Sequence, residues 1–357
     1  MKEDKYPWSR EVPLECVQET LGEQVPKTRA DIQRGRQAFA AILDRYDPGV
    51  VFYGGCYDLA FMRAIARDTV KSGRASILMG DSTRADHPRR PWVEYGKRLL
   101  LRGAYDGAIC AGTRSRDYLI SLGFDDRKMW NGFDAVDSDH FAAGATEARS
   151  NPSTHRERLG LPPEYALCVA RHSPEKDIDS LLQACSRVFR DRTSCSLVLC
   201  GTGPLTENLR LSAERLGIAD RVRFVGWTSY NELPFYYGLA SVTVLPSISE
   251  PWGLVVNESL ACGTPVIASD VCGCVPELIR RGISGYTFPA GDSAELESVL
   301  RGVLHFGLGE NVISQCQAIV KPWSLRNRTL GIVDCMREFG ALGVIEGLSD
   351  CIARNSF

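Results

Sequence analysis

The sequence predicts an α/β fold with two doubly wound domains. A chain of 357 residues is too long for one ordinary hydrophobic core and fits two domains. From about residue 50 onward, short apolar runs alternate with segments of helical periodicity. Strands that are apolar throughout and alternate with helices indicate parallel sheets that are covered on both faces.

The alternation is clearest in the second half. Strands are predicted at 166–170, 196–200, 222–225, 241–245, 265–268 and 286–288. Helices are predicted between and after them at 178–189, 206–216, 229–237, 254–262 and 292–304. Gly217 supplies the C-terminal stop of the second of these helices, and Ser229 with Glu232 forms a capping box for the third. Asp292 and Glu295 cap the fifth helix.

The first half follows the same logic with fewer elements. Strands are predicted at 50–53, 76–79, 108–111 and 128–130, and helices at 58–71, 92–101 and 115–122. A complete doubly wound half often has about six strands, whereas only four can be identified here. Residues 1–48 contain neither a clear strand nor a glycine-rich first turn. We therefore expect the N-terminal domain to be incomplete.

Composition changes mark the predicted domain boundary. Residues 151–164 form the predicted linker, which contains Asn-Pro and Pro-Pro pairs. The N-terminal domain is predicted at 1–150 and the C-terminal domain at 165–325. Residues 326–357 are predicted as C-terminal helices that return toward the N-terminal domain.

Composition and charge exclude several classes of protein. The net charge of −2 argues against a nucleic-acid partner, and no apolar run is long enough to span a bilayer. The N-terminus lacks the apolar core of a secretion signal. Many of the 13 cysteines lie in apolar runs, as buried thiols in a reducing compartment do. We therefore expect a cytoplasmic protein, and no zinc at Cys272 and Cys274.

Residues 244–270 carry the strongest functional signal. A strand ends in a loop that bears Glu250, and a helix then begins near Gly253 and carries Glu258. A helix N-terminus presents free N–H groups and a partial positive charge, so it favours an anion. The two glutamates bracket this anion site at a spacing of eight positions. An anionic group flanked by hydroxyl groups on both sides is typical of a nucleotide-sugar.

Two cations lie in the segment that follows the first strand of the C-terminal domain. Arg171 and Lys176 stand between that strand and its helix, at the carboxyl edge of the predicted sheet. Two fixed cations can neutralise a diphosphate leaving group without a metal ion. No metal or other cofactor is therefore expected.

These motifs resemble those of the retaining glycosyltransferases of family 4, which have the GT-B fold of two Rossmann-like domains facing a cleft. The Pro-Trp-Gly-Leu segment between the glutamates and the Ala-Cys-Gly-Thr-Pro-Val-Ile-Ala-Ser segment after them carry the resemblance. It implies that Glu258 binds the ribose hydroxyl groups and that Glu250 holds the donor sugar. It also implies that Arg171 and Lys176 bind the diphosphate, although the family usually has glycine where Ala170 stands.

The resemblance adds backbone contacts to the donor site. The N–H groups of Gly253, Leu254 and Val255 would meet the sugar and the diphosphate. Gly203, in a Gly-Thr-Gly-Pro turn, matches the small-residue turn that lies near the phosphates in the family. The implied reaction transfers a hexose-type sugar to a hydroxyl acceptor with retention of configuration. The implied acceptor is a glycan, a lipid-linked molecule or a small molecule.

The N-terminal half resembles the acceptor domain of a bacterial branch of the same family, through residues 112–119 and 134–141. Gly54, Gly55, Asp81 and Arg114 are the predicted residues on the acceptor side. Many members carry a histidine early in the loop after the second strand. Here that loop begins Gly-Asp-Ser-Thr and its histidine, His87, comes late.

Three alternatives remain open. A catalytically impaired protein that only binds a nucleotide-sugar would fit an incomplete acceptor domain. A nicotinamide-dependent Rossmann enzyme is disfavoured because no Gly-x-Gly-x-x-Gly turn is present. The basic residues between 84 and 102 fit either a solvated helix face, which we favour, or a weak peripheral contact with an anionic membrane at its cytoplasmic face.

Overall fold

A computed structural model describes residues 26, 28–55, 59–191, 194–306 and 311–340. Two parallel sheets organise these residues. The N-terminal sheet contains β1 (Val50–Tyr53), β2 (Ala75–Gly80), β3 (Gly107–Cys110) and β4 (Met129–Asn131), in the order β1-β2-β3-β4. Its helices are α1 (Arg29–Tyr46), α2 (Ala60–Lys71), α3 (Pro91–Leu101) and α4 (Thr113–Ser121).

The C-terminal sheet has six parallel strands in the order β10-β9-β8-β5-β6-β7. These strands are β5 (Glu164–Val169), β6 (Cys195–Cys200), β7 (Val222–Gly226), β8 (Val242–Leu245), β9 (Val266–Ser269) and β10 (Gly285–Phe288). The helices that precede or connect them are α5 (Ser138–Ser150), α6 (Pro152–Leu159), α7 (Ile178–Asp191), α8 (Thr206–Arg215), α9 (Leu233–Leu239), α10 (Leu254–Ala261) and α11 (Val275–Leu278). After the last strand come α12 (Ser293–Phe306), α13 (Val312–Val320) and α14 (Leu325–Glu338).

The ten strands lie where the sequence predicts them, and the predicted α/β fold is confirmed. Side chains of β5, β6, β8 and β9 are almost completely buried because helices cover both faces of the sheet. Asp292 caps α12 by accepting hydrogen bonds from the N–H groups of Ala294 and Glu295, both at 3.0 Å. The predicted start of a helix at residue 58 and the residues before 26 lie outside the described part of the chain.

The segment around the predicted linker is largely helical. It contains α6 and the first residue of β5, and α5 precedes it directly. Phe141 and Ala145 of α5 are fully buried in a cluster that includes Tyr165 and Tyr237. By its packing, α5 therefore lies with the C-terminal sheet, although its residues are within the predicted N-terminal range. The exact domain boundaries stay a prediction.

Helix α14 lies against the N-terminal sheet. A Cβ atom on Gly331 would stand only 1.4 Å from the carbonyl oxygen of Asn131, so the glycine is needed for this close approach of backbones. Cys335 of the same helix is fully buried beside Ile77 and Ile109. The chain therefore crosses to the C-terminal sheet and returns within the described residues, whereas residues 341–357 lie outside them.

None of the helices among the described residues combines the length and the apolar character that crossing a bilayer requires.

Candidate functional site

The sheet topology brings Lys176 and Glu250 together. Lys176 lies in the turn after β5, and Glu250 lies in the loop after β8. Because β5 and β8 are neighbouring parallel strands, their carboxyl ends meet at the same edge of the sheet. Lys176 Nζ donates a hydrogen bond to Glu250 Oε2, and Ser247 Oγ donates to the same oxygen at 3.1 Å. Glu250 is only 8% exposed, so its carboxylate is held in a fixed orientation by a partly exposed lysine and a buried serine.

Arg171 stands at the same edge but is exposed to solvent. Unlike Lys176, its guanidinium makes no hydrogen bond or ion pair within the described ranges, although its charge helps to lower the pKa of Glu175. The two predicted phosphate ligands therefore differ: Lys176 is held by the protein, whereas Arg171 is available to an anion from solvent.

The glycine turn after β6 packs against the loop that carries both cations. A Cβ atom on Gly203 would lie 2.4 Å from the carbonyl oxygen of His172, so only glycine fits. The N–H of Gly203 donates to Thr206 Oγ1 at 3.0 Å, and this hydroxyl also bonds His172 Nδ1 at 2.9 Å. The glycine therefore permits this close approach of the two loops, and a contact with the phosphates stays a prediction.

The N-terminus of α10 opens toward Glu250. Gly253 is the N-cap residue and has φ +103°, a left-handed conformation that favours glycine. No side chain caps this helix, and the N–H groups of Leu254 and Val255 have no acceptor among the backbone bonds of the described residues. The three predicted positions 253–255 therefore present free donors and the positive end of the helix dipole.

Glu258 lies one turn further along α10. Tyr237, which is fully buried, donates a hydrogen bond of 2.6 Å from its hydroxyl group to Glu258 Oε2. Burial raises the pKa of Glu258 to about 7, although the bond from Tyr237 opposes this shift. The tyrosine therefore holds one carboxylate oxygen of Glu258. Because the residue is partly exposed, the carboxylate can still accept a hydrogen bond from a ligand.

Two aspartates of the N-terminal half, Asp81 and Asp134, are close enough to Glu250 for its charge to affect their pKa values. Burial raises the pKa of Asp81, and the charges of Asp86 and Glu250 add to the rise. Burial also raises the pKa of Asp134 to about 7, assisted by Asp81 and opposed by Arg328. Asp134 Oδ2 is buried without a hydrogen-bond partner among the described residues.

The other residues predicted on the acceptor side fall into two groups. Gly54 and Gly55 are exposed at the end of β1, and a Cβ atom on Gly55 would lie 4.0 Å from Asp81 Oδ1. Arg114 instead reaches across to the C-terminal half, where its Nη1 donates to the carbonyl oxygens of Asp270 at 2.7 Å and Cys272 at 2.8 Å. Its side chain therefore joins the two halves, and a contact with an acceptor stays a prediction.

The same contact between the halves includes residues that sequence reasoning missed. The N–H of Thr113 donates to Glu277 Oε1 at 2.6 Å, and a Cβ atom on Gly112 would lie 2.6 Å from the Trp252 ring. Trp252 immediately precedes Gly253. The start of α4 therefore packs directly on the loop that positions the donor helix.

Asp134, Tyr237 and Glu277 are the site residues that the sequence did not single out. Asp134 opens the Asp-Ala-Val-Asp stretch, which was a usable signal. Tyr237 is adjacent to Glu258 only through the packing of α9 and α10, for which the sequence gives no signal. In the described part of the chain, no three His, Cys, Asp or Glu side chains converge as metal ligands would.

Solved structures with similar folds are glycosyltransferases and related synthases. A glycosyltransferase from Rickettsia africae superposes with a TM-score of 0.73 at 16% identity and covers 89% of this chain and 84% of its own. Anabaena HepE in complex with UDP superposes with a TM-score of 0.70 at 17% identity, over 85% of this chain and 82% of its own. These likenesses, together with the two parallel sheets, define the fold as GT-B, with two Rossmann-like domains.

The sequence comparisons point to the same class. Residues 152–311, less than half of the chain, match the model of the family described as glycosyl transferases group 1. A D-inositol 3-phosphate glycosyltransferase from Geodermatophilus obscurus is 34% identical over 250 residues, which is 67% of this chain and 53% of that protein. The alpha-D-kanosaminyltransferase of Streptomyces kanamyceticus is 32% identical over 168 residues, 47% of this chain and 43% of that protein. The chain thus spans about half the length of these curated relatives.

Proposed function

We propose that this protein is a glycosyltransferase that moves a hexose-type sugar from a nucleotide-sugar to a hydroxyl acceptor with retention of configuration. The observation that carries the proposal is the oriented Lys176–Glu250 pair beside the open N-terminus of α10. This arrangement offers a cation and free N–H donors to a diphosphate, and a carboxylate to sugar hydroxyl groups. The named relatives and the GT-B fold support the same class of reaction.

Each residue then has a definite task. Lys176 and Arg171 neutralise the negative charge that develops on the leaving diphosphate, which needs no metal ion. Glu250 accepts hydrogen bonds from the transferred sugar. Glu258, held by Tyr237, accepts hydrogen bonds from the ribose. The N–H groups at the start of α10 bind the diphosphate.

The acceptor is expected on the side of the N-terminal sheet. Asp134 has a pKa of about 7 and a buried oxygen without a partner among the described residues. A carboxylate with such a pKa is suited to accept a proton near neutral pH. We assign Asp81 and Asp134 to the binding of the acceptor hydroxyl group, in a glycan, a lipid-linked molecule or a small molecule.

The experiment is a screen of the full chain against nucleotide-sugars that differ in base and sugar. Release of the nucleoside diphosphate, with and without an acceptor mixture, reports turnover, and NMR of the product reports the anomeric configuration. We expect at least one donor to be turned over with retention. Binding of a donor without any turnover would instead identify a nucleotide-sugar-binding protein.

A further inference from the structure

Helix α3 carries its apolar side chains on the outside of the molecule. Leu101, at its end, is buried. Its exposed large apolar side chains are Trp92 (70%), Val93 (44%), Tyr95 (65%), Leu99 (54%) and Leu100 (48%). Trp92, Tyr95 and Leu99 follow one another in steps of three and four residues. Val93 and Leu100, which are seven residues apart, form a neighbouring row, so the five side chains make one broad stripe along the helix.

The polar face of α3 points toward the protein. The Tyr118 hydroxyl donates to Glu94 Oε2 at 2.7 Å, and Lys97 Nζ donates to that hydroxyl at 3.4 Å. Lys97 Nζ also lies 3.3 Å from Glu94 Oε1. A surface helix normally buries its apolar face, and α3 has the opposite orientation. A contiguous exposed apolar surface of this kind marks an interaction site.

The surroundings of the stripe are positively charged. Four exposed arginines lie on α3 or beside it: Arg84, Arg90, Arg98 and Arg102. None of the four has a carboxylate partner among the residues that the structure describes. The acidic side chains nearby are engaged elsewhere, since Asp86 is buried against Arg89 and Glu94 is bonded to Tyr118.

We propose that α3 docks on the surface of an anionic lipid bilayer, with its apolar stripe at the boundary between headgroups and acyl chains. A helix with tryptophan and leucine on one side and flanking arginines is suited to this interface. The same charges disfavour a second copy of the chain as the occupant. A two-fold interface would place the arginines of both copies against each other.

Docking has a geometric consequence for the cleft. The loop from Asp81 to Arg90 connects the cleft to the start of α3, and its Asp86 carbonyl oxygen accepts a hydrogen bond from Ser249 Oγ of the C-terminal half. A membrane bound at α3 would therefore lie near the acceptor side of the site. The docking itself does not depend on the proposed sugar transfer.

The test is co-sedimentation of the full chain with vesicles. Vesicles of equal parts phosphatidylcholine and phosphatidylglycerol are compared with vesicles of phosphatidylcholine alone. We expect binding to the anionic vesicles, weaker at high salt, and much less binding to the neutral ones. Arg90→Gln and Arg98→Gln should each reduce the partition coefficient about fivefold. Arg326→Gln, at an exposed arginine of α14, is the charge control.

A matched pair of leucines tests the apolar stripe. Leu99 on α3 and Leu211 on α8 are both 54% exposed. Leu99→Ala should lower binding about tenfold, and Leu211→Ala should leave it unchanged. Circular dichroism and thermal unfolding check that both variants are folded. We expect them to be, because both leucine side chains are exposed.

Three results would overturn the proposal: no binding of the wild-type chain to anionic vesicles, equal binding of the two leucine variants, or self-association that Leu99→Ala abolishes. The last result would assign the stripe to a second copy. Because no donor is present in the assay, failure of the proposed transferase activity would leave this test unaffected.

Discussion

The hydroxyl group of Tyr237 donates a 2.6 Å hydrogen bond to the carboxylate of Glu258, across the contact between α9 and α10. The tyrosine is fully buried and cannot turn away, so it fixes the orientation of the carboxylate. This contact fixes the position of the group that we assign to the ribose, and it opposes the rise in pKa that burial causes.

Binding of a nucleoside diphosphate should therefore depend on pH through Glu258. Its pKa in the folded protein is raised to about 7, so the carboxylate is ionised mainly above that pH. Ribose hydroxyl groups bind the ionised form better, and affinity should rise as pH increases from 6 to 8. Titration calorimetry at several pH values measures this. Glu258→Gln is the control for titration of the phosphate and should lack this part of the pH dependence.

Tyr237→Phe should move the midpoint of this affinity change to higher pH. The tyrosine hydrogen bond lowers the pKa of Glu258, so its loss raises the pKa further. The phenyl ring keeps the packing, so the midpoint of the affinity profile should move to higher pH while the fold is retained. An unchanged midpoint would show that Tyr237 does not control this carboxylate.

The raised pKa of Glu258 also affects the free energy of unfolding, with a pH dependence opposite to that of nucleotide binding. Between the ordinary pKa of 4.5 and about 7, the folded protein holds a proton on Glu258 that the unfolded chain releases. The contribution of this group to the free energy of unfolding should therefore fall as pH rises through this window. Thermal unfolding of wild type and Glu258→Gln over the same pH range tests the sign, since the variant should lose this component.

Lys176→Ala should lower turnover by about two to three orders of magnitude, because it removes a fixed positive charge from the leaving group. Its loss also leaves the Glu250 carboxylate with Ser247 as its side-chain donor, so thermal unfolding is measured to check that the variant is folded. Lys71→Ala, at an exposed lysine at the end of α2, is the control and should keep wild-type activity. Turnover of Lys176→Ala within a few-fold of wild type would refute the assignment.

Substitutions of Glu258 and Glu250 should affect different steps, nucleotide binding and sugar transfer respectively. Glu258→Ala should weaken the binding of a free nucleoside diphosphate, because the ribose loses its acceptor. Glu250→Ala should leave that binding nearly unchanged and depress transfer. Equal losses of nucleoside diphosphate affinity in both variants would contradict this division of roles.

The sequence predicted the strands and the donor motif because both depend on local patterns. Apolar runs identified β5, β8 and β9, and Asp292 and Gly253 identified the starts of α12 and α10. The helix start predicted at Ser229 was wrong, because residues 229–232 form a turn and α9 begins at Leu233 without a side-chain cap. Lys176 was predicted at the carboxyl edge of the sheet, but its contact with Glu250 depends on the pairing of β5 with β8, which the sequence did not predict. The helical nature of 152–159 was missed because Asn-Pro was interpreted as a linker signal, whereas Pro152 occupies the first turn of α6.

What the sequence could not predict are contacts between distant elements. Tyr237 reaches Glu258 through helix packing, and Glu277 reaches Thr113 across the contact between the two halves. The orientation of α3 could not be predicted either, because periodicity shows that a helix has an apolar face but does not show where that face points. The structure turns that face outward. The choice between a solvated helix face and a membrane contact therefore rests on the vesicle experiment.

The most direct test of the central claim is thermal unfolding of the full chain with a panel of nucleoside diphosphates and nucleotide-sugars. A ligand that binds only the folded state raises the unfolding midpoint. We predict that at least one nucleotide-sugar raises the midpoint for wild type, with a clearly smaller effect for Glu258→Ala. No shift with any nucleotide, or an equal shift in Glu258→Ala, would contradict a nucleotide-sugar site at the start of α10.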